Sequence, residues 1–143
     1  ERNAYLEQLI VNQYVKENRV NIEIDNFEMV NGRKKIAINF PDSKTKDRIL
    51  KKWGFRQREV DEWIESRLIL EKFLQTHPIF QAIVTDRKVE QYYLTYKDQK
   101  FLNRSLSEVR DLVVEDYKKM VLQVEFKKWL DQEKRRQKWD INE

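Results

Sequence analysis

The residue types that most often form catalytic and metal sites are scarce in this chain. It has no cysteine, one histidine, two glycines and two prolines among 143 residues. Without cysteine there are no disulfides, thiolate zinc sites or cysteine nucleophiles. Two glycines cannot form a glycine-rich phosphate loop, and no histidine and carboxylate cluster has the spacing of metal ligands. We therefore expect no catalytic residues, no metal and no cofactor.

Long apolar runs are also missing. No run reaches the length that crosses a bilayer, and no signal-peptide pattern opens the sequence. Charged residues make up 38% of the chain and hydrophobic residues 40%. We therefore expect a cytoplasmic protein with no membrane partner. The composition predicts a single globular domain over residues 1–130, followed by a basic C-terminal extension over residues 131–143.

The spacing of apolar residues changes early in the chain. Residues 3–17 carry apolar side chains three and four positions apart, which predicts an amphipathic helix capped by Asn3. Apolar and polar residues then alternate over residues 20–25, which is typical of a strand with one buried face. Asn31-Gly32 is the strongest short signal for a β-hairpin turn, and alternation resumes over residues 34–40. The sequence predicts a mainly helical α+β fold with this hairpin.

A helical bundle is predicted after the hairpin. A short helix over residues 45–53 has Asp42 or Ser43 as its cap and turns Trp53 inward. Gly54 follows, at the position where a helix end favours a left-handed residue.

Three further helices complete the predicted bundle, and two of them have clear boundaries. One covers residues 57–76 and stops before His77-Pro78. The other is a long C-terminal helix that opens with a capping box between Ser105 and Glu108. Residues 79–84 fit a strand or a short helix, and Asp86 is the predicted cap of the helix that follows.

Residues 33–58 concentrate the positive charge of the chain. They contain ten Lys/Arg and two carboxylates, a net charge of +8, whereas the whole chain carries +4. A short basic helix, a glycine turn and a second helix are the layout of many DNA-binding modules. We interpret residues 33–76 as a helix-turn-helix-like segment of a non-catalytic nucleic-acid-binding accessory or regulatory protein. The candidate nucleic-acid-binding residues are Arg33, Lys34, Lys35, Lys44, Lys46, Lys51, Lys52, Arg56 and Arg58, with the last two nearest the bases.

Four carboxylates near the start of the helix predicted over residues 57–76 are consistent with a different function. They are Glu59, Asp61, Glu62 and Glu65. Near a phosphate backbone they would repel, whereas near a helix N-terminus they only complement the dipole. The alternative is a protein-protein interaction or assembly module, whose basic block meets an acidic protein partner or a second copy in a homodimer. Asp42 and the Asp86-x-Lys88 sequence also match the residue types of a metal-dependent nuclease.

Two other groups combine aromatic residues with possible binding roles. The first, formed by Tyr92, Tyr93, Tyr96 and Phe101, is either a stacking platform or part of the core. The second is a C-terminal tract with the composition of a surface for single-stranded nucleic acid or anionic membranes, or of a frayed helix end. Its residues are Lys127, Lys128, Trp129, Lys134, Arg135, Arg136, Lys138 and Trp139.

Overall fold

The computed structural model describes residues 2–139, with side chains from residue 4 onward. These residues form six α-helices and one short 3-10 helix, and the described range contains no strand. In chain order the elements are α1 (Arg2–Glu17), α2 (Asn26–Ala37), α3 (Ser43–Lys52), α4 (Gln57–Thr76), the 3-10 helix (Pro78–Phe80), α5 (Asp86–Lys100) and α6 (Leu106–Arg136). None of the described helices is long and apolar enough to cross a membrane.

The chain divides into two compact units, Glu1–Phe73 (unit 1) and Leu74–Glu143 (unit 2). The single domain over residues 1–130 stays a prediction. Helix α6 passes residue 130 without a break and continues to Arg136. The last four residues of the predicted basic extension, 140–143, lie outside the described residues.

The predicted β-hairpin and the α+β class are wrong, because Asn31 and Gly32 lie inside helix α2. This helix begins with a capping box formed by Asp25 and Glu28, which was not predicted from the sequence. The backbone N–H of Glu28 donates to Asp25 Oδ1 at 2.8 Å, and the N–H of Asp25 donates to Glu28 Oε2 at 2.9 Å. The two bonds satisfy donors that a helix start otherwise leaves unpaired. The cap therefore stabilises the start of a helix that includes the Asn-Gly pair.

Gly32 serves close packing rather than a turn. A Cβ atom at this position would overlap the buried side chain of Ile64 in α4. Arg33, the next residue, reaches Asp61 on the same helix with Nε and Nη2 at 2.8 and 3.0 Å from the two carboxylate oxygens. Glycine thus allows α2 and α4 to approach closely within unit 1, and this contact explains why glycine is tolerated inside a helix.

The segment before α2, residues 20–25, has no regular secondary structure and no partner strand among the described residues. Its side chains alternate between half-buried and exposed positions over residues 20–25. Lys72 of α4 holds the segment, because its Nζ donates to the carbonyl oxygen of Glu23 and, at 2.8 Å, to the Glu28 carboxylate. A side chain therefore replaces the strand pairing that the alternation predicted.

Several predicted helix caps differ from the observed ones. Helix α1 begins at Arg2, so Asn3 lies inside it, and the Asn3 side chain is outside the described residues. Thr85 caps α5 in place of Asp86. Ser105 is the N-cap of α6 but makes no side-chain capping bond, and Glu108 pairs with Arg104 at 3.6 Å instead. The capping box predicted there is wrong.

The predicted aromatic cluster of Tyr92, Tyr93, Tyr96 and Phe101 lies in the core of unit 2. Helices α5 and α6 bury Val89, Tyr92, Phe101, Val109 and Val113, with Tyr93 and Tyr96 packed against them. Tyr92 is only 6% exposed, so this cluster is core and not a stacking platform.

Tyr92 belongs to a polar network between α5 and α6. Its hydroxyl donates to Asp116, while Lys100 Nζ donates to Asp116 at 2.7 Å and to the Tyr92 oxygen at 3.1 Å. The hydrogen bond from Lys100 lowers the pKa of Asp116, and the same bond raises the pKa of Lys100. Burial raises the pKa of Tyr92. The network favours the ionised carboxylate, the ammonium and the neutral phenol together.

The lowered pKa of Asp116 predicts a specific acid sensitivity. A carboxylate whose pKa is lowered by folding stabilises the protein above its unfolded pKa, and this stabilisation is lost as pH falls through the folded pKa. Asp116→Asn is expected to reduce the free energy of unfolding at neutral pH, with the difference from wild type shrinking below about pH 5. Urea unfolding across pH measures this. Asp98→Asn, at an exposed α5 carboxylate without an ion pair in the described residues, is the control. A pH-independent difference for Asp116→Asn contradicts the prediction.

Candidate nucleic-acid interface

Helix α3 is fixed at both of its ends. Asp42 is the N-cap, accepting from the Thr45 N–H at 2.7 Å and from its hydroxyl at 3.0 Å, and the backbone bond lowers the pKa of Asp42. At the other end, Gly54 has φ +77. The Phe55 N–H bonds the Leu50 carbonyl at 2.9 Å and the Gly54 N–H bonds the Lys51 carbonyl at 3.0 Å. These two bonds form a Schellman motif, as the glycine position predicted.

One face of α3 carries four exposed cations at helical spacing. We call this the cationic face, and its residues are Lys44, Arg48, Lys51 and Lys52. Among the described residues none of the four has an ion pair. The apolar residues Ile49 and Leu50 are half-buried, away from this face. The fixed helix ends therefore present four cations without an ion pair in the described residues on one side of α3, with the exposed Asp47 at the edge of this face.

Arg48 was not among the candidate residues, although a sequence signal for it existed. It lies four residues after Lys44 and four before Lys52, which places all three on one side of a helix. Lys46, which was a candidate, is mostly covered and lies 3.9 Å from Asp47, off the cationic face.

Two predicted arginines are already engaged by carboxylates. The Arg33 guanidinium forms the bidentate pair with Asp61, and this hydrogen bonding raises the pKa of Arg33 and lowers that of Asp61. Arg58 Nε lies 2.8 Å from Glu62 Oε1, and that bond raises the pKa of Arg58. Phosphate binding by either arginine would compete with an existing partner.

The remaining candidates are exposed and have no ion pair among the described residues. Lys34 and Lys35 lie on α2 rather than at a hairpin tip. Arg56 precedes α4, and its backbone N–H donates to Glu59 at 2.7 Å. Because carboxylates crowd the first turns of α4, the cationic face is better suited to phosphates than the α4 start. Base contact by Arg56 and Arg58 stays a prediction.

Two aromatic side chains stand exposed at the turn between α3 and α4. Trp53 is 66% exposed and Phe55 is 50% exposed. The prediction that Trp53 turns inward is wrong, because α3 ends at Lys52 and Trp53 occupies its C-cap. Beside Phe55 is an open cleft of about 640 Å³. Its lining residues are Asp47, Leu50, Lys51, Gly54, Phe55, Arg56 and Gln57.

The two aspartates of the nuclease pattern, and the single histidine of the chain, have structural roles in this fold. Asp42 caps α3, and Asp86 pairs with Arg110 on α6. His77 caps the 3-10 helix with Nδ1 3.4 Å from the Ile79 nitrogen, and burial lowers the pKa of His77. Within the described residues no group of three or more metal-binding side chains is assembled.

No protein-family model, curated protein or solved structure matches the chain. The function is therefore argued from the geometry of its own residues.

Proposed function

We propose that the protein is a non-catalytic nucleic-acid-binding protein that contacts phosphates with the cationic face of α3. The supporting observation is the placement of four exposed cations, without ion pairs in the described range, on one helix face that is capped at both ends. Lysine and arginine side chains are the usual phosphate contacts of nucleic-acid-binding proteins. Such contacts fix position along the backbone and need no base recognition.

The dimensions of the face suit a phosphate backbone. Lys44 and Lys52 are separated along the helix axis by about 12 Å, given a rise of about 1.5 Å per residue. In duplex DNA one strand has about one phosphate per 3.4 Å of helix axis, so this length spans roughly three to four phosphates, and a more extended single strand presents fewer. Arg56, just past the turn, adds a fifth cation without an ion pair in the described range. This row of cations therefore matches a ligand with repeated negative charges, such as a phosphate backbone, better than it matches a single carboxylate.

Binding is expected to weaken steeply with salt, because phosphate contacts release bound counterions. With about five contacts, affinity should fall roughly 100- to 500-fold between about 50 and 200 mM salt. Fluorescence anisotropy of labelled single-stranded and duplex oligonucleotides measures this. Absence of binding to both forms at the lower salt concentration would refute the proposal.

A second candidate function is self-assembly, supported by exposed carboxylates on α4. Glu59, Glu62 and Glu65 are all exposed in the same unit as the cationic face. The cationic face of one copy could meet these carboxylates on another, which would give a two-fold dimer. This function requires a sedimentation mass that rises with protein concentration and falls with added salt. A constant monomer mass removes it.

A further inference from the structure

We infer that the ligand of this interface is single-stranded nucleic acid, whose bases stack on Trp53 and Phe55 while its phosphates lie on the cationic face. This inference rests on the proposed function and specifies its ligand. It follows from the position of two exposed rings immediately after Lys51 and Lys52 and before Arg56. Interleaved cations and aromatic rings are the arrangement that binds unpaired strands.

The turn between α3 and α4 holds the rings in an accessible position. The left-handed Gly54 separates Trp53 from Phe55, and the space that a Cβ at Gly54 would occupy has no neighbouring atom within 4 Å. The cleft of about 640 Å³ opens beside Phe55, Lys51 and Arg56. A flat base therefore has an open approach to an aromatic ring that has cations on both sides.

A duplex fits this surface less well. Its bases are already stacked and paired, so exposed rings at the turn gain contact only after bases are released. Groove insertion by α4 is opposed by Glu59, Glu62 and Glu65 near its start. The rings thus favour an unpaired strand, whereas the cationic face alone does not distinguish the two forms.

An anionic membrane surface also fits this arrangement less well. A helix that lies in a membrane interface exposes a continuous apolar face along its length. In α3 the apolar residues Ile49 and Leu50 are half-buried, and the exposed face is charged. The exposed apolar area is concentrated in Trp53 and Phe55 at one end of the helix.

Three other aromatic side chains near cations are either buried or lie beside a cation that already has an ion pair. Tyr92 lies in the α5–α6 core, and Trp129 is buried against Phe80 and Phe126. The cation over the Trp63 ring is Arg67, which pairs with Glu71. Phe27 on α2 is also exposed, at 72%, beside Lys35, but the carboxylates of Glu28 and Glu71 line the same pocket.

The test compares three probes on the full chain at one salt concentration. They are a single strand of about 12 nucleotides, the matched duplex, and phosphatidylcholine vesicles containing phosphatidylserine. The wild type is expected to bind the single strand about 10- to 100-fold more tightly than the duplex, which corresponds to the stacking of one or two bases. The double variant Trp53→Leu, Phe55→Leu is expected to lose this preference and to keep its duplex affinity and salt dependence.

A matched aromatic variant separates stacking from a structural effect. Trp53→Tyr with Phe55→Tyr retains a ring at both positions and is expected to retain most of the single-strand preference. Equal binding of single strand and duplex by the wild type would overturn the inference while leaving the proposed function in place. Tighter binding to the vesicles than to the single strand would also overturn it. Absence of binding to both nucleic acids would remove the proposed function itself.

Discussion

Replacing Phe80 with alanine is expected to destabilise unit 2 by about 3–5 kcal/mol, the usual cost of removing a buried phenyl ring. Phe80 is 2% exposed and lies at the end of the 3-10 helix. Its ring meets Phe126 and Trp129 edge to face, with centroids 5.8 and 5.9 Å away. The ring therefore joins the 3-10 helix to α6, and alanine would leave a cavity between them.

Urea unfolding measures this effect, and the neighbouring residue provides a matched control. Ile79 belongs to the same 3-10 helix but is 47% exposed. Ile79→Ala is expected to cost less than about 1 kcal/mol, because it leaves no enclosed cavity. Equal costs for the two variants would show that the aromatic contact with α6 does not determine the stability of unit 2.

Neutralising the cationic face is expected to remove most nucleic-acid affinity. The variant carries Lys44→Gln, Arg48→Gln, Lys51→Gln and Lys52→Gln. If these residues contact phosphates and Arg56 provides one more contact, the salt slope for a single strand should change from about −3.5 to about −0.7. The affinity should fall several hundred-fold at about 0.1 M salt. Titrations at several salt concentrations measure both quantities.

Four cations of unit 2 provide a control with the same change in net charge. Arg87, Lys88, Lys119 and Lys127 are exposed and have no ion pair in the described range. Their joint replacement by glutamine is expected to leave the salt slope near the wild-type value. If this control loses as much affinity as the first variant, binding follows net charge and not the cationic face.

Helix boundaries followed from the sequence where local signals agreed. Helix α4 runs from Gln57 to Thr76, the predicted range, because its apolar stripe is long and His77-Pro78 disfavours continuation. Around α2 the prediction followed the turn signal of Asn31-Gly32, and the capping box of Asp25 and Glu28, which favours a helix start, was not recognised. The contact that decides between them joins Gly32 to Ile64 on another helix. Local sequence patterns do not contain such a contact.

The candidate site was predictable only where it depends on local spacing and not on tertiary contacts. The cationic face follows from helical spacing within α3, and the spacing could also have identified Arg48. The Arg58–Glu62 pair was open to prediction, because residues four apart meet on a helix. The Arg33–Asp61 pair was not, since it joins two helices that only tertiary packing brings together. The exposure of Trp53 depends on the residue at which α3 ends. The spacing of apolar and charged residues predicts which residues share a helix face more precisely than it predicts where the helix ends.

The most direct test of the proposed interface is a titration of the ¹⁵N-labelled protein with a single-stranded oligonucleotide, followed by amide chemical shifts. Binding at the cationic face is expected to give the largest shift changes in residues 44–57, covering α3, the turn with Trp53 and Phe55, and Arg56. Changes in α5 and α6 are expected to be small. Unchanged shifts at saturating oligonucleotide, or changes centred on α6, would show that the cationic face of α3 is not the nucleic-acid-binding surface.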